Sequence, residues 1–250
     1  MQAYDVIVIG AGPAGIFTAL ELDKLMPQMR VLVVDSGSTI DNRSCPARTS
    51  SHCAHCRPCH IMNGWAGAGA FSDGKLSLSE EVGGNVTDYL PVQEVRDLIR
   101  YADDIYLKFG APDKVFGKSD KFAEQVSYEA HKHNIKLIPC PVRHMGTEYS
   151  FEVLREMYRY LSSRESFEFR EYTKADTIEI ENGRAVGVWL IGRDGERRLE
   201  KARYIVAAPG RGGAEWLTSI ARANNQQRRG YRRTGGSAQC RDGPPDQKPV

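Results

Sequence analysis

The chain has 250 residues, 41% of them apolar, which is enough for one large domain or two small ones around a real core. Its net charge of +2 is an average of unlike parts: Ala221 to Val250 holds seven Lys or Arg against two Asp, leaving 27 basic and 30 acidic residues in a mildly acidic body. No apolar run approaches membrane-spanning length. The N-terminal run follows Asp5, is broken by glycines and lacks a basic leader or cleavage site, so it reads as a core strand rather than a signal peptide. A soluble cytoplasmic protein is expected.

The first elements carry the most information. Val6-Ile7-Val8-Ile9 is a continuous apolar run of the kind that fills a parallel strand buried on both faces. Gly10, Ala11, Gly12, Pro13, Ala14 and Gly15 follow as a GxGxxG turn, which feeds a predicted helix from Gly15 to Met26. Its apolar contacts are assigned to Phe17, Leu20, Leu22 and Leu25, and Pro27 stops it. A second strand, Val31-Leu32-Val33-Val34, ends in Asp35, twenty residues after the last glycine. Glycines at these positions allow a tight turn and a close backbone approach to a pyrophosphate at the helix N-terminus. An acid at the end of the second strand is placed to accept the ribose hydroxyls and to repel a 2′-phosphate. The unit therefore predicts an adenine dinucleotide, disfavours NADP, and does not separate FAD from NAD.

From Ser36 to Gly84 the sequence is rich in Gly, Ser and Cys and poor in periodicity, and irregular stretches of this length inside a domain tend to be functional. Cys45, Cys53, Cys56 and Cys59 fall as C-x7-C-x2-C-x2-C. Closely spaced thiols suit part of an iron-sulfur run, and a CxxC knuckle with a distant partner suits tetrahedral zinc. Two other readings stay open: a Cys56/Cys59 redox pair, and four reduced loop thiols. Cys56-Arg57-Pro58-Cys59-His60 also matches the haem-attachment pattern CxxCH, which the missing secretory signal disfavours. His52, His55 and His60 are alternative ligands.

Helices are predicted over 92–109 and 119–133, and a short strand over Ile135–Cys140. A helix follows over 151–163, capped by Ser150, with Phe151, Leu154, Met157, Tyr158 and Leu161 on one stripe. His131 and His133 lie at a helix end. His144, beside Arg143, is the best loop candidate for a substrate contact. Trp65 and Trp216 are weighed between cofactor packing and the core. Strands are predicted at Phe167–Arg170, Thr177–Ile180, Ala185–Ile191, Arg197–Leu199 and Tyr204–Ala208, with tight turns at Asn182-Gly183 and Asp194-Gly195 and a short helix over Glu215–Ala221.

The tail from Ala221 has no apolar periodicity and reads as a disordered basic end. Codons for Arg229 to Ser237 can be chosen so that a neighbouring frame spells VDIGVRVEVP, an alternating, strand-like segment. A frameshifted tail is therefore expected in preference to a nucleic-acid-binding arm.

At this point the chain resembles the FAD-dependent oxidoreductases of the two-dinucleotide-binding superfamily, and most closely the bacterial uncharacterised FAD-dependent dehydrogenases. The resemblance covers about residues 4 to 220. It rests on GAGPAG with Asp35, on Gly64-Trp65-Ala66-Gly67-Ala68-Gly69-Ala70-Phe71-Ser72-Asp73-Gly74-Lys75, and on Tyr204-Ile205-Val206-Ala207-Ala208-Pro209-Gly210-Arg211. It implies an α/β, Rossmann-like FAD/NAD(P)-binding domain with a parallel sheet, a β-meander and a helical insertion, incomplete at the C-terminus. Its parts would be a βαβ unit (1–40), a Cys/Gly-rich cofactor loop (41–84), a helical insertion (85–165), and a meander with return strand (166–220), before the tail (221–250).

The resemblance further implies that Gly67, Gly69 and Ser72 bring backbone N–H groups to the cofactor. Lys75 would place a positive charge near a reduced flavin, and Ala208 and Gly210 would form the turn beside it. An oxidoreductase acting on a small-molecule substrate is expected, with NAD(P)H as a candidate electron donor. Such flavoproteins normally continue into a substrate domain and a last FAD motif. None is seen after Gly213, so an inactive fragment is one expectation. Two rival readings are an NAD-binding module without flavin and an FAD-dependent RNA-modifying protein, the latter resting chiefly on the basic tail. Nucleic acid and membrane are not expected as partners, and nothing in the sequence sets an oligomeric state.

Overall fold

The computed structural model describes residues 4–50, 52–117 and 121–223. The predicted first unit is present: β1 (Tyr4–Ile9), helix α1 (Pro13–Leu25) and β2 (Val31–Val34), with β1 and β2 parallel in the register Val6 to Val31 through Ile9 to Val34. Val6–Ile9 and Val31–Val34 are all buried, as an apolar run without polar alternation requires when both faces of the sheet are covered. The remaining elements are α2 (Ala47–Ser50), β3 (Lys75–Ser77), α3 (Val92–Lys108), β4 (Val115–Phe116), α4 (Lys121–Lys132), β5 (Val142–His144) and α5 (Gly146–Ser162). They continue with β6 (Phe167–Arg170), β7 (Lys174–Glu181), β8 (Arg184–Ile191), β9 (Arg197–Ala207) and α6 (Ala214–Ala223).

The main sheet runs β6-β2-β1-β9-β8-β7. Its first four strands are parallel, and β9-β8-β7 form an antiparallel meander. On one face Val6, Val8, Val31 and Val33 meet Ile16, Ala19 and Leu20 of α1 and Val153, Leu154, Met157 and Leu161 of α5. On the other, Ile7, Ile9, Leu32 and Val34 meet Ala175, Val188, Leu190 and Ala202, with Trp216 of α6 against them. A small second sheet, β3-β5-β4, ties the end of the Cys/Gly-rich loop to the insertion. No helix among the described residues is long and apolar enough to cross a membrane.

Several sequence expectations need correcting. The buried residues of α1 are Gly15, Ile16, Ala19, Leu20 and Asp23, a stripe at helical spacing in which Gly15 and Ala19 let the helix approach closely. Leu25 is 66% exposed, and Phe17 instead tilts against Tyr106 of α3. Residues 135–140 form no strand: Pro139 and Pro141 lack ladder donors, Ile135 and Ile138 are exposed, and the strand begins after them at Val142. Ser150 does not cap the fifth helix, which starts four residues earlier at Gly146, so Ser150 is buried inside it.

The predicted strands at 197–199 and 204–208 are one continuous strand, β9, which changes partner midway. Arg197–Lys201 pair with β8, and Ala202–Ala207 pair in parallel with β1. The Asn182-Gly183 turn is as expected, with both residues at positive φ, as a two-residue hairpin loop of mirror type demands. The expectations for the tail beyond Ala223 lie outside the described residues.

Candidate dinucleotide cleft

The cleft is assembled at the C-terminal ends of β1, β2 and β9, where ligands of open α/β sheets bind. The three glycines of the turn differ in role. A Cβ on Gly15 would fall 1.9 Å from the Gly10 carbonyl oxygen, and one on Gly10, whose φ is +100°, would fall 2.2 Å from the Ala208 carbonyl oxygen. Both positions are closed by backbone. Gly12 faces open space, with nothing within 4 Å of where its Cβ would be. It is the N-cap of α1, no side chain caps the helix, and no acid lies in the first turn. That is the donor set an anion requires: a helix N-terminus with a free approach to the backbone. The residues present therefore fit the pyrophosphate of a dinucleotide, with Pro13 at the first helical position and Ala14 and Gly15 supplying the next N–H groups.

Three sequence blocks converge here. Gly10 abuts Ala208, and the Ala208 N–H donates to the Ile9 carbonyl at 2.8 Å. Gly67, at φ +54°, stands over the turn, so that its Cβ would lie 3.4 Å from Gly12 Cα. The Ala66 N–H donates to the Ala11 carbonyl at 2.7 Å, and Gly212 lies near Asn63. Gly69 and Gly210 each face open space. Thus Gly67 and Ala208 are brought to the glycine turn. Ser72 stays within its own loop: its hydroxyl donates to the Gly69 carbonyl and accepts from the Gly74 N–H. Lys75 is 55% exposed and paired with Asp73 at 2.7 Å, a contact that holds the Asp73 carboxyl below the usual range.

Asp35 is already engaged. Its Oδ2 accepts the Ala11 N–H at 2.9 Å, and its Oδ1 accepts those of Gly37 at 2.8 Å and Gly64 at 2.6 Å. An ionised carboxylate has about four lone-pair sites, so roughly one is left for a ribose hydroxyl. Its first effect is to join the glycine turn, the end of β2 and the Cys/Gly loop.

Arg43 does the complementary work, and no local sequence pattern marks it. Its Nη1 donates to the carbonyls of Trp65 (2.6 Å) and Gly67 (2.5 Å), and its Nη2 to those of His60 (2.9 Å) and Ile61 (2.7 Å). Burial pushes its guanidinium down to about 10, with Asp35 and Cys59 acting in the opposite direction, so it remains a cation at neutral pH. Its Nε is buried without a partner.

The other candidates are dispersed. Cys53 and Cys59 are exposed, Cys45, Cys56 and Cys140 are half-buried, and all five are free thiols. Among the described residues no three His, Cys, Asp or Glu side chains group as a metal site, so the structure does not gather Cys45, Cys53, Cys56 and Cys59 with one another or with His52, His55 and His60. Trp65 is core: its Nε1 donates to the Leu154 carbonyl, and its ring meets Tyr158 and Phe169 edge-on. Trp216 donates to the Asp176 carbonyl in the second core. Arg143 is buried against Asp103, while His144 lies beside Phe116 in β5. A groove of about 850 Å³ bordered by Leu20, Lys24, Tyr101 and Arg164 lies at the far end of α1 and contains no residue of the glycine turn.

Topology and strand order together define a Rossmann-like α/β fold. Solved structures share it: L-amino acid deaminase from Proteus vulgaris with its specific insertion sequence deleted (TM-score 0.50, 15% identity, 88% of this chain and 56% of that one) and a single-residue variant of the FrdA subunit of E. coli quinol fumarate reductase (0.50, 13%, 83% and 33%). The Mycobacterium smegmatis Sdh1 complex in its apo form is similar to the same degree (0.50, 16%, 83% and 34%). The chain thus spans between a third and somewhat over half of the length of these structures. No protein-family model and no curated protein sequence matches it.

Proposed function

We propose that this chain carries the dinucleotide-binding part of an FAD-dependent oxidoreductase. The observation that carries the reading is the convergence of Gly12, Gly67 and Ala208 at one helix N-terminus, since it unites the three blocks on which the sequence resemblance to flavoproteins rests. The backbone N–H groups of α1's first turn would hold the pyrophosphate, Gly12 giving it room to approach. The last acceptor site of Asp35 would take a ribose hydroxyl. The Gly64–Phe71 segment and the Ala208–Gly213 turn would flank the cofactor on either side of the glycine turn. FAD, when bound, supplies the hydride and electron chemistry. A small-molecule substrate and NAD(P)H as electron donor complete the proposal.

The test is calorimetric titration of the purified chain with FAD, NAD and NADP, together with its visible absorbance. Bound flavin, or FAD affinity well above that for NAD, is the expected result. Binding of NAD without FAD would instead establish a nicotinamide-binding module, and binding of neither would end the dinucleotide reading.

A further inference from the structure

Two arginines among the described residues are buried, and they are treated differently. Arg143 faces a carboxylate, Asp103, whereas Arg43 has none within salt-bridge distance and spends four donors on main-chain carbonyls. Those carbonyls belong to two segments with different duties. His60 and Ile61 directly follow Cys59 in the cysteine loop, while Trp65 and Gly67 belong to the segment lying over the glycine turn. Within the loop the Cys59 carbonyl accepts from the N–H groups of Met62 (3.2 Å) and Asn63 (3.0 Å) and from Asn63 Nδ2 (3.0 Å). Asp35 then fixes the Gly64 N–H. Residues 59–67 are therefore one hydrogen-bonded unit, with a thiol at one end and the wall of the cleft at the other.

We propose that Arg43 is a positioning residue that couples the cysteine loop to the dinucleotide cleft, so that occupancy of the cleft and modification of Cys59 oppose one another. A ligand seated at the N-terminus of α1, against the Gly67 segment that packs on Gly12, orders the Gly67 end, and Arg43 transmits that order to the carbonyls beside Cys59. The coupling acts in both directions, so a bulky group on Cys59 weakens the ligand in turn. Cys59 is exposed and hence open to labelling. The inference rests on the dinucleotide reading given above.

The experiment measures iodoacetamide labelling of each cysteine by mass spectrometry, with and without saturating ADP, in the unaltered chain and in Arg43→Lys and Arg43→Met. Cys140, in the remote 135–141 segment, serves as the internal reference, and far-UV circular dichroism reports the fold. ADP is expected to slow Cys59 labelling severalfold while Cys140 is unchanged. Both variants should label faster at Cys59 and lose the ADP effect, the lysine included, because it keeps the charge but cannot bridge four carbonyls. If ADP binds but Cys59 labels at the same rate, or if Arg43→Lys preserves the protection, the coupling is wrong although the dinucleotide reading stands. If the unaltered chain binds neither ADP nor FAD, the dinucleotide reading fails. In that case unchanged Cys59 labelling in Arg43→Lys overturns the loop-holding role as well, and faster labelling retains that role alone.

Discussion

Gly10 and Ala208 touch backbone to backbone: a methyl group on Gly10 would lie 2.2 Å from the Ala208 carbonyl oxygen, and the Gly10 φ of +100° is itself disfavoured for any other residue. Gly10→Ala is therefore expected to destabilise the chain by about 2–4 kcal/mol, combining backbone strain with displacement of β9. Gly12→Ala, where the space is open, should cost about 1 kcal/mol or less yet weaken ADP at least tenfold, because the methyl group occupies the ligand's approach. Urea unfolding and ADP titration of the two variants would show opposite patterns. Equal stability losses would contradict the division of roles.

Asp35→Asn tests the three-donor hub. An amide presents one acceptor oxygen where the carboxylate presented two, and its NH2 would oppose either the Ala11 N–H or the pair from Gly37 and Gly64. A loss of about 3 kcal/mol is expected from one forfeited charge-assisted bond and one donor clash. The oxygen then keeps Gly37 and Gly64 while the NH2 opposes Ala11, so hydrogen exchange should locate the loosening at residue 11. Unchanged protection at Ala11 would show that the glycine turn is held by other means.

The buried Arg143–Asp103 pair, with Arg143 Nε and Nη2 on the two carboxylate oxygens and Nη1 on the Pro112 carbonyl, anchors β5 to α3. Asp103→Ala strands a buried guanidinium and should cost about 3–5 kcal/mol. Replacing both partners with apolar residues should cost less. Thermal denaturation of the single and double variants decides it, and a double variant no more stable than the single one would contradict the account.

Tyr4, Glu168, Arg170 and Glu200 give the sheet a pH signature. The Tyr4 hydroxyl donates to Glu168 Oε2 at 2.5 Å and accepts from Arg170, which also reaches Glu200. Burial, and then the bond to Glu168, push Tyr4 from 10.0 up to about 12. A tyrosine raised in the folded state contributes its stability in full below pH 10 and loses it as pH rises to about 12. Burial pushes Glu168 up, but the Tyr4 hydroxyl and Arg170 outweigh it and leave the carboxyl lowered. Its stability is present above the ordinary value of 4.5 and is lost as pH falls through the lowered one. Melting temperature against pH should fall at both ends, and Tyr4→Phe should flatten the alkaline limb. An unaltered alkaline limb in that variant would remove Tyr4 from the explanation.

Much of this arrangement is legible in the sequence where a local pattern and its long-range setting agree. The apolar runs of β1 and β2, the glycines between them and the Asn182-Gly183 turn each carry their own instructions. Strand β9 is harder, because Glu200, Lys201 and Arg203 look like a break, yet Ala202 between the last two is buried where the strand passes from β8 to β1. Arg43 is harder still. A lone arginine in a polar stretch carries no periodic signal, and its partners at 60, 61, 65 and 67 are defined only once the loop has folded back. Asp35 shows the same gap from the other side, since its position predicted a ribose and not three backbone donors.

The change of partner along β9 also has a bearing on how the molecule comes into being. Strand β1 is central in the sheet, yet Tyr4 pairs with Ala202, nearly the full described length away. During synthesis β1 and β2 emerge long before β9, with one edge of β1 unpaired until residues 202–207 have left the ribosome. That wait leaves open an edge along which Val6–Ile9 are all apolar, and contacts of such long sequence separation form slowly. The nascent protein should therefore depend on chaperone protection until β9 docks, and the Gly10–Ala208 contact would be among the last to close.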